Sequence, residues 1–294
     1  MIPPMPIPPP RGKYAAILER LMGAPPENAG LSRYVRQRIA NRGKAASPAF
    51  LIGNGRSGTS MVIFRLARSW QVDLYNENHP AAFNRYNHLR PVPALRELIR
   101  RSPANVILFK PIKETFRACR FLSEFPAAKL LFMFRHYEPV ASSARKRFYE
   151  QKAIRRGIPF ESIQPPVDGW MSNDFAVFSS APPPARSRER IRSCWSADLP
   201  LDSKIALHWV FQNGLYFDLG LDRDPQVLLI GYEDILARPA PVFQRISDFL
   251  EIRYSDSFIK GIRASNQPPP QLDLTPAVRN ACEEMWSALQ AGLP

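Results

Sequence analysis

The residues best suited to chemistry lie together at positions 53–60, where the sequence reads Gly-Asn-Gly-Arg-Ser-Gly-Thr-Ser. Three glycines let the backbone curl so that several N–H groups point towards one centre. The helix that follows adds the partial positive charge of its N-terminus. Arg56 adds a guanidinium fork, and Ser57, Thr59 and Ser60 add hydroxyl donors. The segment therefore predicts a cradle for a phosphate or sulfate group.

The same segment departs from two common phosphate-binding patterns. A nucleoside-triphosphate loop requires Gly-Lys-Ser/Thr, whereas here Gly58 is followed by Thr59 and the cation, Arg56, precedes the glycine. The spacing Gly53-x-Gly55-x-x-Gly58 is that of the dinucleotide fingerprint, but it lies in a loop rich in Arg, Ser and Thr. An ordinary strand-to-helix turn is the alternative to an anion-binding role. A P-loop kinase acting on a small molecule is the alternative class of enzyme.

The loop requires a strand before it and a helix after it, and the sequence predicts both. Short apolar runs predict strands at residues 49–53, 73–75, 106–109, 129–134 and 227–231. Segments with helical spacing predict helices at residues 61–70, 92–101, 116–125, 139–152, 204–219 and 241–250. Their alternation predicts an α/β fold of three layers, α/β/α, with a mostly parallel central sheet. In such folds ligands bind at the carboxyl ends of the strands.

The chain divides into two parts. Residues 1–46 form a proline-rich N-terminal extension with predicted helices, and the first ten residues favour polyproline II or disorder. Residues 47–294 form one catalytic domain. Within that domain, residues 153–203 are rich in Pro, Ser and Arg and predict a long irregular insertion. A segment of this kind inside a compact domain is typically a lid over a functional site.

The charge of the chain favours anionic partners. The chain has 294 residues, a net charge of +14 and a pI of about 10.1. This balance suits nucleic acid, a membrane surface or an anionic small ligand. The sequence has none of the aromatic sheet motifs or zinc-finger spacings of nucleic-acid-binding modules. We therefore expect no nucleic-acid partner and keep nucleic-acid binding only as an alternative.

The sequence also bounds the compartment. Cys119, Cys194 and Cys282 are too few and too far apart to predict a disulfide framework or a zinc site. The N-terminus does not read as a signal peptide, and no apolar run is long enough for a transmembrane helix. We expect a cytoplasmic enzyme without a metal. The basic charge leaves peripheral contact with a membrane open.

Two separated motifs resemble those of a known family. Arg56-Ser-Gly-Thr-Ser60 after an apolar strand resembles the 5′-phosphosulfate loop of the sulfotransferases. It is most similar to the branch of tyrosylprotein and bacterial sulfotransferases, in which arginine replaces lysine. Arg135 ends a predicted strand and Ser143 follows eight residues later, which resembles the family's clamp on a 3′-phosphate. Residues 136–138 read His-Tyr-Glu, where the family has aspartate directly after the arginine.

Two further segments fit the same resemblance. Ile107-Leu-Phe-Lys-Pro111 resembles the strand-end lysine and proline of that branch. Val227-Leu-Leu-Ile-Gly-Tyr-Glu-Asp234 resembles its late strand, which is followed by Tyr-Glu-Asp-Leu. The similar elements span roughly residues 48–252, most of the chain. The family's glycine-rich cofactor motif near the C-terminus is not evident, and Gly261-Ile-Arg263 is its candidate remnant.

The resemblance implies an activity and a cofactor. The protein would transfer a sulfuryl group from 3′-phosphoadenosine 5′-phosphosulfate (PAPS) to an acceptor hydroxyl or amine by in-line displacement. The product of the cofactor would be adenosine 3′,5′-bisphosphate (PAP). The fold would contain a P-loop-like phosphosulfate-binding loop. The residues that the resemblance assigns to the cofactor are Arg56, Ser57, Gly58, Thr59, Ser60, Arg135 and Ser143.

In-line sulfuryl transfer needs a base beside the attacking group and positive charge or N–H donors beside the leaving phosphate. Arg56 and Lys110 are the candidate cations, and a solvated strand-end lysine is the alternative interpretation of Lys110. The tyrosylprotein branch has a catalytic glutamate in the region of residues 75–80, which predicts Glu77 as the base. His79 is the second choice, because other branches use a histidine. A solvated loop residue is the alternative for both.

The acceptor is predicted only by class, as a small molecule, a glycan or a lipid. Its pocket is expected from residues 76–90 and the 153–203 insertion. Tyr86, Trp170 and Trp195 are candidates to stack on a sugar or an aromatic ring. The basic residues of the insertion favour an anionic acceptor such as a glycan. The sequence indicates no oligomeric state.

Overall fold

The computed structural model of the protein describes residues 17, 20, 22, 25–41, 45–178, 182–263 and 271–293. The proline-rich start of the predicted extension lies outside the described residues. The described part of the extension contains helix α1, Leu31–Ala40. The side chain of Gln37 on this helix donates to the Trp70 carbonyl oxygen and to Asp73, so the helix is attached to the edge of the sheet.

Five parallel strands form the described sheet. They are β1 (Ser47–Gly53), β2 (Val72–Tyr75), β3 (Val106–Phe109), β4 (Lys129–Phe134) and β5 (Val227–Gly231). Their spatial order is β2-β3-β1-β4-β5, so β1 lies at the centre. All five strands were predicted from apolar runs, and they are almost continuously buried because helices cover both faces.

Helices connect the strands and cover the sheet. The α-helices in chain order after α1 are α2 (Thr59–Leu66), α3 (Val92–Arg101), α4 (Ala118–Glu124), α5 (Tyr137–Ala144), α6 (Gln151–Arg156), α7 (Pro166–Ser172), α8 (Ala185–Arg192), α9 (Leu201–Asp218), α10 (Tyr232–Ala237), α11 (Pro239–Leu250) and α12 (Pro276–Ala291). A π-helical turn, Arg145–Glu150, joins α5 to α6. The sequence did not predict α12.

The core lies on both sides of the sheet. Alternate residues of β1 enter opposite clusters, because successive side chains of a strand point to opposite faces. Phe50 and Ile52 pack in the cluster that contains Trp209 of α9, whereas Leu51 packs in the cluster that contains Ile63 of α2. The architecture is therefore α/β with three layers and a parallel central sheet, and the predicted fold class is confirmed.

The insertion at residues 153–203 is more regular than its composition suggested. We expected an irregular segment, but its described part contains α7 and α8, which contact the long helix α9. Its prolines occupy places that helices tolerate, since Pro166 begins α7 and Pro184 directly precedes α8. Trp170 of α7 is buried against Phe211 of α9. Proline content was thus a misleading sign of irregular structure here.

Candidate anion site and adjoining pocket

The predicted anion-binding loop, residues 53–60 and here called the anion loop, leaves the carboxyl end of the central strand β1 through a crowded turn. Gly53 has φ 117°, and a Cβ atom at this position would overlap the Met133 carbonyl oxygen of the neighbouring strand. The Gly53 N–H donates to the Thr115 hydroxyl at 3.0 Å, and that hydroxyl donates back to the Gly53 carbonyl oxygen at 3.0 Å. These contacts fix where the loop begins, directly above the centre of the sheet.

The loop holds hydrogen-bond donors without protein acceptors. No backbone N–H group of residues 55–60 has an acceptor in the described part of the chain. The Ser57 hydroxyl is buried and also lacks a partner there. Helix α2 begins directly afterwards, and its N-cap residue, Gly58, offers no capping side chain. A buried polar group is normally satisfied, so the unpartnered Ser57 hydroxyl beside free backbone donors at a helix N-terminus fits an oxyanion ligand.

Arg56 connects the loop to the second predicted anion site. Its backbone is left-handed, with φ 68°, and its side chain is exposed. The Nε atom of Arg56 donates to the Ser143 hydroxyl oxygen at 3.0 Å. Ser143 lies on α5, one residue before its end. The structure therefore brings the predicted phosphosulfate loop next to one of the two residues predicted to hold a 3′-phosphate.

Arg135 directly follows the end of β4, and its side chain lies over the ring of Tyr232. Its carbonyl oxygen accepts from the Trp209 indole N–H at 2.9 Å, which fixes the backbone. Its guanidinium carbon lies 4.2 Å from the ring centroid of Tyr232, and its Nε atom is buried without a partner. Because Phe134 pairs with Gly231 in the sheet, Arg135 and Tyr232 emerge side by side. Arg135 is thus a cation with a fixed backbone and an unpartnered Nε donor.

Lys110 is a buried ammonium between the loop and a carboxylate. Its side chain is 5% exposed. The Nζ atom donates to Ser60 Oγ at 3.0 Å and to Glu77 Oε1 at 3.4 Å. The pairing of Tyr75 with Phe109 across β2 and β3 explains the meeting, since Glu77 and Lys110 both follow those paired strand ends. The Lys110 ammonium therefore contacts both the Glu77 carboxylate and Ser60 of the anion loop.

His79 lies in a different environment from Glu77. Both of its ring nitrogens make backbone hydrogen bonds: Nε2 with the Pro25 carbonyl oxygen at 3.0 Å, and Nδ1 with the Ala81 N–H at 3.3 Å. Burial lowers the pKa of His79, which favours the neutral ring. The ring also packs edge-on against Tyr75, 4.7 Å away. These contacts occupy the groups that a base would use, and they favour Glu77 between the two candidates.

A pocket of about 500 Å³ adjoins the loop. Residues 54–56 form part of its wall, and the remaining wall comes from His88, residues 112–116, α5, the π turn, α6, the insertion and α9. Its apolar and aromatic lining residues are Ile112, Phe116, Val140, Ala144, Phe148, Tyr149, Ile163, Pro166, Trp170, Val177, Phe178 and Ile205. The pocket is thus mainly apolar, and one part of its wall is formed by residues 54–56 of the anion loop.

The three aromatic residues proposed to stack on an acceptor lie in different places. Trp170 lines the pocket. Tyr86 is 56% exposed and packs under the guanidinium of Arg85. The Trp195 indole N–H donates to Asp168 at 3.0 Å, away from the pocket wall. Only Trp170 of these three contacts the cavity.

The fold of this chain has counterparts among solved structures. No protein-family model matches the chain, and no curated protein matches its sequence. Among solved structures, the sulfotransferase domain from the curacin biosynthetic pathway aligns with 85% of this chain and 100% of that domain, at a TM-score of 0.50 and 13% identity. The chain has the sulfotransferase fold. At this identity the likeness establishes the fold alone, and it confirms at that level the resemblance drawn from the motifs.

Two other solved structures with the sulfotransferase fold also align. A sulfotransferase from Alicyclobacillus acidocaldarius aligns with 85% of this chain and 94% of its own, at 18% identity and a TM-score of 0.46. A mouse sulfotransferase complexed with PAP aligns with 89% of this chain and 90% of its own, at 12% identity and a TM-score of 0.43.

The sequence analysis assigned no role to three polar residues near the site of this sulfotransferase-fold protein. Buried Glu114 accepts from the Leu89 N–H at 2.6 Å and pairs with Arg117. It thereby fixes the end of the 76–90 segment. His208 and Gln212, on α9, line the pocket. Their four-residue spacing on a helix indicates that they share one helix face. That this face lines a cavity is visible only once the insertion is placed beside α9.

Two structural features are absent from the part of the chain that the structure describes. No group of three or more His, Cys, Asp or Glu side chains is arranged to hold a metal ion. Among the same residues, no helix combines the length and the apolar character needed to cross a bilayer.

We expect any side chain at Gly58 of the anion loop to destabilise the protein. Its φ is 83°, and a Cβ atom would overlap the ring of Tyr232. We expect Gly58→Ala to lower the free energy of unfolding by about 1–3 kcal/mol, measured by urea denaturation. Gly157 is the matched control, because it has φ 61° but nothing within 4 Å of the added atom. Equal losses in Gly58→Ala and Gly157→Ala would show that the Tyr232 contact does not constrain the loop.

Proposed function

We propose that the protein is a PAPS-dependent sulfotransferase acting on a hydroxyl or amine. The observation that carries the proposal is the set of unpartnered donors at residues 55–60, joined to Ser143 through the hydrogen bond of Arg56. PAPS has an anionic group at the 5′ position and another at the 3′ position. Two neighbouring sets of donors, one in the loop and one at Arg135 and Ser143, suit such a ligand.

The residues present fit this cofactor. The loop amides, Ser57 and Arg56 would hold the 5′-phosphosulfate, and Arg135 with Ser143 would hold the 3′-phosphate. The buried, unpartnered Ser57 hydroxyl and Arg135 Nε atom support this assignment, because each is a donor that the described protein leaves unused. When bound, PAPS would supply the activated sulfuryl group and PAP as the leaving group.

The chain's own residues divide the work of an in-line transfer. Glu77 accepts the proton that the attacking hydroxyl or amine loses. Lys110 lies between Glu77 and the loop and places positive charge where negative charge develops. Arg56 and the loop amides stabilise the leaving phosphate side. Lys110 also holds the Glu77 carboxylate in position, since its ammonium lies 3.4 Å from Oε1.

The remaining parts of the proposal concern access and location. We propose that residues 153–203 act as a lid, since their described part contributes wall residues to the pocket that adjoins the loop. The free thiols of Cys119, Cys194 and Cys282 are typical of a reducing compartment, which supports a cytoplasmic location. The acceptor is a small molecule or a lipid, for which an apolar pocket is better suited than for a glycan.

Nucleotide choice tests the proposal against a small-molecule kinase. We expect PAP at about 100 times its Kd to raise the melting temperature, because mass action then adds about 2.7 kcal/mol of stability. ATP with Mg²⁺ should leave the melting temperature unchanged. Stabilisation by ATP and Mg²⁺ but not by PAP would instead favour the kinase.

Arg135 should discriminate nucleotides by their 3′-phosphate. We expect Arg135→Ala to weaken PAP binding about 10- to 100-fold, because a hydrogen bond to a charged group contributes about 1.5–3 kcal/mol. Binding of adenosine 5′-monophosphate, which lacks the 3′-phosphate, should change little. Isothermal titration of both nucleotides measures the difference, and Arg135→Lys should recover part of it. An equal loss for both nucleotides would reject the 3′-phosphate role.

A further inference from the structure

The pocket beside the loop contains a pair of polar side chains on α9 that the proposed transfer chemistry does not use. His208 and Gln212 lie four residues apart on α9, so their side chains are neighbours on one face of the helix. Both line the cavity whose other walls are mainly apolar. The pair is therefore a small polar patch inside an apolar pocket.

Neither side chain is satisfied by the protein. Gln212 is 8% exposed, and its Oε1 atom has no hydrogen-bond partner. The ring of His208 stacks on Trp170 at 5.3 Å, and neither of its nitrogens has a partner in the described part of the chain. Leaving a buried polar group without a partner costs about 1–3 kcal/mol. The buried Gln212 Oε1 atom and the half-buried His208 ring face one cavity, and together they indicate a ligand that supplies hydrogen-bond partners.

The charge state of the His208 and Gln212 side chains indicates whether the ligand is charged or neutral. Burial lowers the pKa of His208 to about 4, so the imidazole is neutral at pH 7 and has one donor and one acceptor. The Gln212 amide is also neutral and offers both a donor and an acceptor. A neutral pair in an apolar pocket matches a hydroxyl, carbonyl or amide and does not offset the cost of burying a carboxylate or sulfate.

The charged lining residues outside the anion loop do not change this conclusion. The Lys113 ammonium donates to the Tyr86 carbonyl oxygen at 3.1 Å and is exposed. Lys152 is half-buried on α6, and His88 is partly exposed beside Glu114. These groups lie on segments other than α9. None of them contacts His208 or Gln212 within hydrogen-bond distance.

We propose that the acceptor is an uncharged molecule with an apolar body, and that His208 and Gln212 hydrogen-bond a second neutral polar group on it. This inference rests on the proposed sulfotransferase function, because it assigns the pocket to the acceptor. The first polar group, a hydroxyl or amine, lies towards residues 54–56 and takes the sulfuryl group. A cavity of about 500 Å³ has room for a rigid molecule of two rings. The anionic glycan favoured by the charge of the insertion is not the acceptor on this view.

Three ligands of one shape test the inference by direct binding. The probes are biphenyl-4-ol, biphenyl-4,4′-diol and 4′-hydroxybiphenyl-4-carboxylate, titrated calorimetrically into the full chain with saturating PAP. We expect the diol to bind about 3- to 10-fold more tightly than the mono-ol, as one added neutral hydrogen bond provides. The carboxylate should bind most weakly. Absence of binding by all three, or tightest binding of the carboxylate, would overturn the inference.

Variants show whether the pair provides the discrimination. Gln212→Leu and His208→Phe keep the shape of the wall, and phenylalanine keeps the stacking on Trp170. We expect each variant to bind the mono-ol as the wild type does and to lose most of the preference for the diol. The mono-ol reports that the pocket is folded. Gln290→Leu, an exposed change on α12, is the control and should keep the preference. A preference unchanged in both pocket variants would reject the assignment.

The two proposals fail in different ways. Without PAP binding or transfer of label from PAPS, the proposed function is wrong, whatever the biphenyl series shows. With PAP binding intact and no difference between the mono-ol and the diol, the function stands and the inference about the acceptor is wrong.

Discussion

Replacing Glu77 by glutamine is expected to lower kcat about 10²- to 10⁴-fold, the usual contribution of a general base. Glutamine keeps the shape of glutamate and still accepts a hydrogen bond from Lys110, but it cannot take a proton. Affinity for PAP should stay within about twofold, because the cofactor donors lie in the loop and at Arg135. Transfer from labelled PAPS to an acceptor found by screening alcohols and phenols measures kcat, and titration with PAP measures affinity.

Two further variants make the Glu77 result specific. Glu284→Gln removes an exposed carboxylate of α12 and should leave kcat unchanged. His79→Ala should lower the melting temperature, since His79 is buried and bridges Pro25 and Ala81, while the folded fraction keeps most of its kcat. If His79→Ala instead lost kcat at unchanged stability and Glu77→Gln did not, the base would be His79.

Replacing Arg56 by alanine is expected to lower kcat about 10²- to 10³-fold, as for the loss of one donor to a developing negative charge. Its guanidinium is exposed and, among the described residues, hydrogen-bonds only Ser143, so the fold should persist. The variant should also bind PAP more weakly, because a cation that faces both predicted anion sites is gone. Circular dichroism and the urea midpoint check the fold, and labelled PAPS measures turnover.

Arg156 offers a matched control for Arg56. It is exposed at the end of α6 and pairs with no described residue. Arg156→Ala removes the same charge from the same basic surface and should keep kcat and PAP affinity. Comparable losses in both variants would show that Arg56 acts only through the overall charge, and near-normal turnover of Arg56→Ala would remove the loop cation from the mechanism.

The sheet and the anion loop could be predicted from the sequence because their signals are local. A buried parallel strand must be almost continuously apolar, and residues 49–53, 106–109 and 129–134 satisfy this whatever their neighbours are. The loop likewise contains its own donors and its own glycines. The π turn at Arg145–Glu150 lies inside the segment predicted as a helix, residues 139–152, and only its π geometry was missed. Helices α7 and α8 have no such local signal and were misread as irregular structure.

The candidate site was predicted as residue types, and its geometry depended on distant contacts. The environment of His79 is decided by Pro25, 54 residues earlier in the chain. The closeness of Lys110 to Glu77 depends on the pairing of β2 with β3. The catalytic and binding roles of Glu77, Lys110, Arg56 and Arg135 stay predictions, and the substitutions of Glu77, Arg56 and Arg135 test three of the four.

The sequence by itself determined the α/β class, the strand order of appearance and the composition of the anion loop, because each follows from residues adjacent in the chain. Only the tertiary structure decided that Arg56 reaches Ser143, that Lys110 is buried beside Glu77, and that His208 and Gln212 face a cavity. The physical reason is that burial and hydrogen-bond partners are set by packing between segments far apart in sequence. No spacing along the chain specifies that packing.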